Sequence, residues 1–117
     1  MHELSIALSI VETATEEGQR HRGRVEVVHL RLGALSGVVK DALLFSWNLA
    51  CEDTQLAGAR LEVEEIPVTV WCAACRIERT LDADLDLRCP ACAGSAIEVR
   101  SGRELELSAL EIREDEV

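Results

Sequence analysis

A chain of 117 residues, 48% hydrophobic and 29% charged, has room for one core and a small appendage, and its composition excludes wholesale disorder. Its formal net charge of -10, with arginines scattered singly among glutamates, excludes a nucleic-acid target, which would need a basic stripe. No apolar run approaches the roughly 20 residues that cross a bilayer. Met1-His2-Glu3 opens the chain without the basic and apolar regions of a signal peptide, so a cytoplasmic protein with no membrane partner is expected.

Helical spacing of Leu4, Ala7, Leu8, Val11 and Ala14 predicts a first helix from Glu3 to about Glu17, ended by Gly18 and Gly23. Val25 to Leu32 follows as a strand, with Val28, Leu30 and Leu32 alternating with His29 and Arg31. After a turn at Gly33 to Gly37, with Ser36 or Gly37 as N-cap, a second helix is expected from Val38 to Cys51. Its apolar stripe reads Val38, Ala42, Phe45 and Leu49, flanked by Leu43 and Trp47. Leu61 and Val63 mark another strand, stopped near Pro67, and Leu105 and Leu107 a last one, with a bulge at Ala109-Leu110. Glu111 to Val117 reads as an acidic tail.

Between the last two strands, from about Val68 to Gly102, large apolar residues thin out. A stretch of that length needs a metal staple to fold. The expected fold is α+β: two helices packed on a small, three-stranded, mainly antiparallel sheet, with an inserted zinc-ribbon module. Residues 1–67 plus 103–117 form the α+β domain and residues 68–102 the ribbon.

The staple is visible as Cys72-Ala73-Ala74-Cys75, thirteen intervening residues, then Cys89-Pro90-Ala91-Cys92. Two residues between thiolates let one tight turn aim both sulfurs at a single ion, and two such turns complete a tetrahedron. Backbone N–H groups, with Gly94 after the second pair, are expected to donate to the sulfurs. Four soft ligands and no open position point to structural Zn(II); the same set suits a four-thiolate iron centre. A redox role for the pairs fits this spacing less well. The fifth cysteine, Cys51, reads as a small buried apolar residue.

The second feature is the amino terminus. The α-amine of Met1, the amide nitrogen and imidazole of His2, and a donor from Glu3 make a nearly planar chelate suited to Ni(II) or Cu(II). Spacing alone favours the plainer reading, a frayed end with an exposed histidine. His21 and His29 read as surface residues.

Taken together, these residues resemble the HypA/HybF family of hydrogenase-maturation nickel metallochaperones. The resemblance is carried by Met1-His2-Glu3-Leu4-Ser5, Leu32-Gly33-Ala34-Leu35, Gly58-Ala59-Arg60-Leu61, the two cysteine pairs, and Gly102-Arg103-Glu104-Leu105. It covers essentially the whole chain. It implies that His2 binds Ni(II) with the amine of Met1 and the backbone or side chain of Glu3, while Cys72, Cys75, Cys89 and Cys92 hold zinc. It also implies a HypB-type GTPase and the large subunit of a NiFe hydrogenase as partners, with urease accessory proteins in some relatives. The motifs do not fix the oligomeric state, and a monomer or weak homodimer is expected. Where some relatives add a loop carboxylate, this chain has Val39, with Asp41 nearby.

Two rival readings differ in class. A zinc-ribbon interaction adaptor explains the cysteines and leaves Met1-His2-Glu3 unexplained. An enzyme would need an open metal position or a nucleophile–base set, and the chain offers neither this nor a phosphate-binding glycine loop, so it is read as no enzyme.

Overall fold

The computed structural model describes residues 2–81 and 86–114. Its elements run α1 (Glu3–Arg20), β1 (Gly23–Gly33), α2 (Lys40–Cys51), β2 (Arg60–Ile66), β3 (Thr69–Cys72), β4 (Ile77–Thr80), β5 (Ile97–Ser101) and β6 (Leu105–Glu114). One sheet has the order β2-β1-β6 and the other β4-β3-β5. Among the described residues three of the four ladders are antiparallel; β1 and β2 run parallel, with α2 in the connection between them.

The α+β expectation holds, with shifted details. α1 continues past Gly18 because that glycine lets the helix lie close to β1: a Cβ there would sit 3.2 Å from Val25 Cγ2. Its buried face is Ala7, Ile10, Val11, Ala14 and Gly18, so Leu4 and Leu8, assigned above to the stripe, are exposed. α2 starts at Lys40 on an N-cap of Val39, in place of Ser36 or Gly37. It turns Leu43, Trp47, Ala50 and Cys51 inward, leaving Phe45 88% exposed and Leu49 outside with it. Both stripes of α2 obey helical spacing. The bulky indole settles the choice, buried with its Nε1–H donating to the Ala59 carbonyl at 2.9 Å.

These helical faces meet Val25, Val28, Leu30 and Leu61 in one core, while Val68, Val70 and Leu81 form a second, smaller cluster. The β1–β6 register slips at two places. Glu26 is extra on β1, and Ser108, one residue before the expected bulge, is extra on β6, where its hydroxyl donates to the His29 carbonyl. β6 runs through Glu114, so the first part of the expected tail is strand; residues 115–117 lie outside the described residues.

The two sheets are joined at a point where backbones nearly touch. A Cβ on Gly33 would collide with the Gly102 carbonyl, and Gly102 itself has φ +115, a conformation suited to glycine. Leu35 N–H donates to the Gly102 carbonyl at 2.6 Å and Gly33 N–H to that of Glu104 at 2.7 Å. The described chain is elongated, with extents of 60 × 26 × 15 Å and a Cα radius of gyration of 17.8 Å. A compact domain of this length would have about 13 Å.

Candidate metal centre

β3 ends at Cys72, and the chain turns through Cys75 before entering β4 at Ile77. The second turn, Cys89 to Cys92, precedes β5. Each turn closes on its first cysteine: Arg76 N–H donates to the Cys72 carbonyl at 2.7 Å, and Ala93 N–H to that of Cys89 at 2.8 Å. Arg76 and Ala93 carry left-handed φ values of 54° and 57°, so the strained position after each pair is held by a non-glycine residue. Gly94 was expected to serve the sulfurs, and its N–H does lie 3.4 Å from Cys92 Sγ.

This folding brings the four sulfurs together, all within 4.8 Å of one another. Cys72 and Cys92 are 3.7 Å apart and Cys75 and Cys89 3.9 Å. Zn–S bonds of about 2.3 Å in a tetrahedron would set sulfurs about 3.8 Å apart, so these two pairs stand at the spacing that a four-coordinate ion requires. Cys72 and Cys89 are buried, Cys75 is half-buried and Cys92 exposed. Backbone N–H groups of Cys92 and Ala91 pull the Cys89 thiol down to about 6. The neighbouring thiols, Cys92 first, push Cys75 up to about 12. An ion held by all four sulfurs would displace whatever thiol protons they carry.

The other expected site lies at the start of α1. His2 is its exposed N-cap, and the His2 carbonyl accepts the first helical bond from Ile6 N–H at 3.2 Å. Glu3 Oε2 accepts from Val39 N–H at 3.4 Å. In a capping box the third helical residue supplies that carboxylate; here the residue is Ala42, and Glu3 supplies it from the neighbouring helix. The starts of both helices therefore meet at Glu3. Asp41 stands in the first turn of α2. Met1 lies outside the described residues.

The remaining candidates are structural. Cys51 is 2% exposed in the core. His29 Nε2 is 2.6 Å from Glu111 on the sheet surface, and His21 caps α1 beside Glu17. Sequence reasoning passed over Arg79, which stands opposite Val70 on β4 with its Nε buried and without a hydrogen-bond partner among the described residues. Nothing local flagged it, because its side chain is aimed by the register of β4.

A family model described as hydrogenase/urease nickel incorporation, metallochaperone, HypA matches residues 1–112. The chain belongs to the HypA family. It is 50% identical over 116 residues to the hydrogenase maturation factor HypA of Roseiflexus sp. (strain RS-1), covering 98% of this chain and 94% of that one. The factor of the same name from Chloroflexus aurantiacus (strain J-10-fl) is 51% identical over 112 residues, covering 95% and 98%. Among solved structures, the Ni metallochaperone HypA of Helicobacter pylori superposes with a TM-score of 0.65 at 20% identity, covering 98% of this chain and all of that one. Family membership thus places the chain among hydrogenase maturation factors, and the solved relative shares its fold. No described helix is long and apolar enough to cross a membrane.

Proposed function

We propose that the chain is a nickel metallochaperone, with Ni(II) as cargo held by Met1, His2 and Glu3 and delivered during maturation of a NiFe hydrogenase. The observation that carries this reading is the family match over residues 1–112, which spans both Met1-His2-Glu3 and the four cysteines. In this reading Cys72, Cys75, Cys89 and Cys92 hold Zn(II) as a closed structural centre that leaves no position for substrate, and the chain does no catalysis. Residues 68–102 form the ribbon domain, and residues 1–67 with 103–117 the nickel domain. It works in the cytoplasm with a HypB-type GTPase, the hydrogenase large subunit and, where urease is made, urease accessory proteins.

Three nitrogen donors from the first residues form fused chelate rings in one plane, a geometry that suits Ni(II) and leaves zinc to the sulfurs. The Glu3–Val39 bond supports this arrangement by fixing the backbone directly behind His2. Donors on a terminus exchange one at a time, which allows firm holding and stepwise transfer. The amine and imidazole must shed protons to bind, so nickel affinity falls as pH drops.

Calorimetry and visible absorption during Ni(II) titration of the zinc-loaded chain test this. The unsubstituted chain should show tight binding and a planar-nickel band, both lost in His2→Ala and in a chain with residues added before Met1. Equal binding in all three would leave the zinc-ribbon adaptor, without a nickel role, as the reading to adopt.

A further inference from the structure

Phe45 is the least covered large apolar side chain among the described residues, and it does not stand alone. Of the eight large apolar residues exposed among those described, five belong to the helix pair: Leu4 and Leu8 on α1, Val39 at the N-cap of α2, and Phe45 and Leu49 on α2. Residues four apart on a helix stack into one row. Leu4 and Leu8 begin a row of α1 that continues through Glu12 and Glu16. Phe45 and Leu49 continue a row of α2 that begins at Asp41. Every member of both rows is exposed.

The two rows are neighbours. The helices pack on each other and start at the same end, where Glu3 accepts from Val39 N–H. To one side of the buried face of α1, Ile6 and Thr13 border a groove along Leu105 and Leu107 of β6. Leu4 and Leu8 emerge on the other side, toward α2. On α2, Lys40 reaches Glu65 of β2 at 3.8 Å, while Phe45 and Leu49 project away from the sheet. The charge along the rows has one sign. The cations of the two helices are Arg20 and Lys40, and neither serves this face: Arg20 pairs with Glu17 at 3.0 Å in the last turn of α1, and Lys40 with Glu65. Glu12, Glu16 and Asp41 remain, each in line with the apolar side chains.

We infer that this face seats a basic amphipathic helix of another protein. Its apolar side chains lie against Leu4, Leu8, Phe45 and Leu49, and its lysines or arginines meet Glu12, Glu16 and Asp41. A contiguous apolar patch with a polar rim is the surface that a helix lays its own apolar face upon. The acids then choose the sign of the partner, because like charges brought together cost affinity. That cost makes a second copy of this chain the poorer occupant: pairing would oppose the same acidic rows, in a molecule of net charge -10. Leu4 is two residues from His2, so the occupant sits beside the terminus proposed to hold nickel. The docking does not need that reading, and its test contains no nickel.

The test uses the full chain loaded with zinc and three dye-labelled helical peptides of one design. The first carries leucines at i, i+3, i+4 and i+7 with flanking lysines; the second has glutamate for each lysine, and the third serine for each leucine. Fluorescence anisotropy measures affinity, and amide chemical shifts locate the contact. The first peptide should bind with its shifts on α1 and α2, and the other two on the order of ten-fold more weakly or worse. Phe45→Ser should weaken the first peptide on the order of ten-fold, the scale of losing one central anchor. Glu12→Lys should weaken it too, while Glu62→Lys, the same change of charge on the outer face of the sheet, should not. Equal binding of the basic and acidic peptides, or unchanged binding by Phe45→Ser, would overturn the inference. Equal losses in Glu12→Lys and Glu62→Lys would overturn it as well, leaving only attraction to net charge. A dimer in sedimentation that Phe45→Ser dissolves would give the face to a second copy and also overturn it. If Phe45→Ser does not fold, Leu49→Ser decides on the same readouts.

Discussion

Cys51 illustrates how a single side chain takes its chemistry from its surroundings. At 2% exposure, burial pushes its thiol from 9.0 up to about 11, so the core holds it neutral. A raised pKa means the folded chain favours the protonated form. The contribution is therefore complete below pH 9 and is lost as pH rises through about 11. Thermal unfolding of Cys51→Ala should accordingly lack part of the fall in Tm that the unsubstituted chain shows between those values; parallel profiles would place the alkaline loss elsewhere. That Cys51 was core was readable from its place at the end of an apolar helix. The four ligand cysteines were readable for a different reason, since two-residue spacing is a property of the chain itself. The buried Nε of Arg79 and the reach of Glu3 to Val39 were not readable. Each depends on which residue of a distant segment the fold sets opposite.

At the scale of the element, α2 offered two overlapping stripes, and the one containing its only phenylalanine is the exposed one. Leu43 is fully buried, so Leu43→Ala should cost about 2–5 kcal/mol in chemical denaturation. Phe45→Ser should change stability by about 0.5 kcal/mol or less, being a surface substitution. A large loss at Phe45 with a small one at Leu43 would reverse the assignment. Helical periodicity finds an apolar stripe but cannot rank two of them. Packing of Trp47 against the loop that carries Ala59 ranks them, and that contact is tertiary. The strands were easier because β1 alternates cleanly near its end. The shift to Ser108 in the bulge shows that alternation locates an irregularity only to within a residue.

Across the whole molecule, the second sheet has, among the described residues, a core of three buried residues, Val68, Val70 and Leu81, against fourteen in the helical part. So few apolar side chains would not offset the ordering of this part, and on the proposed reading a metal held by the four cysteines supplies the rest. Chelating the zinc should release amide protection in β3, β4 and β5 while β1 and α1 keep theirs, as hydrogen exchange would show. Uniform loss throughout would mean that the Gly33–Gly102 junction makes one cooperative body. The cluster of four cysteines was legible as two spaced pairs within a stretch of low apolar content. The sheet inside it was not, because strands of four or five residues carry too little alternation to read.

The central claim is that two metals occupy two chemically separate sites, nickel on nitrogen at the terminus and zinc on sulfur in the ribbon. X-ray absorption at both edges of one doubly loaded sample addresses it most directly. The expected result is nickel in a planar shell of nitrogen and oxygen with no sulfur, alongside zinc with four sulfurs at about 2.3 Å. Sulfur in the nickel shell, or zinc losing thiolates as nickel is added, would contradict the account.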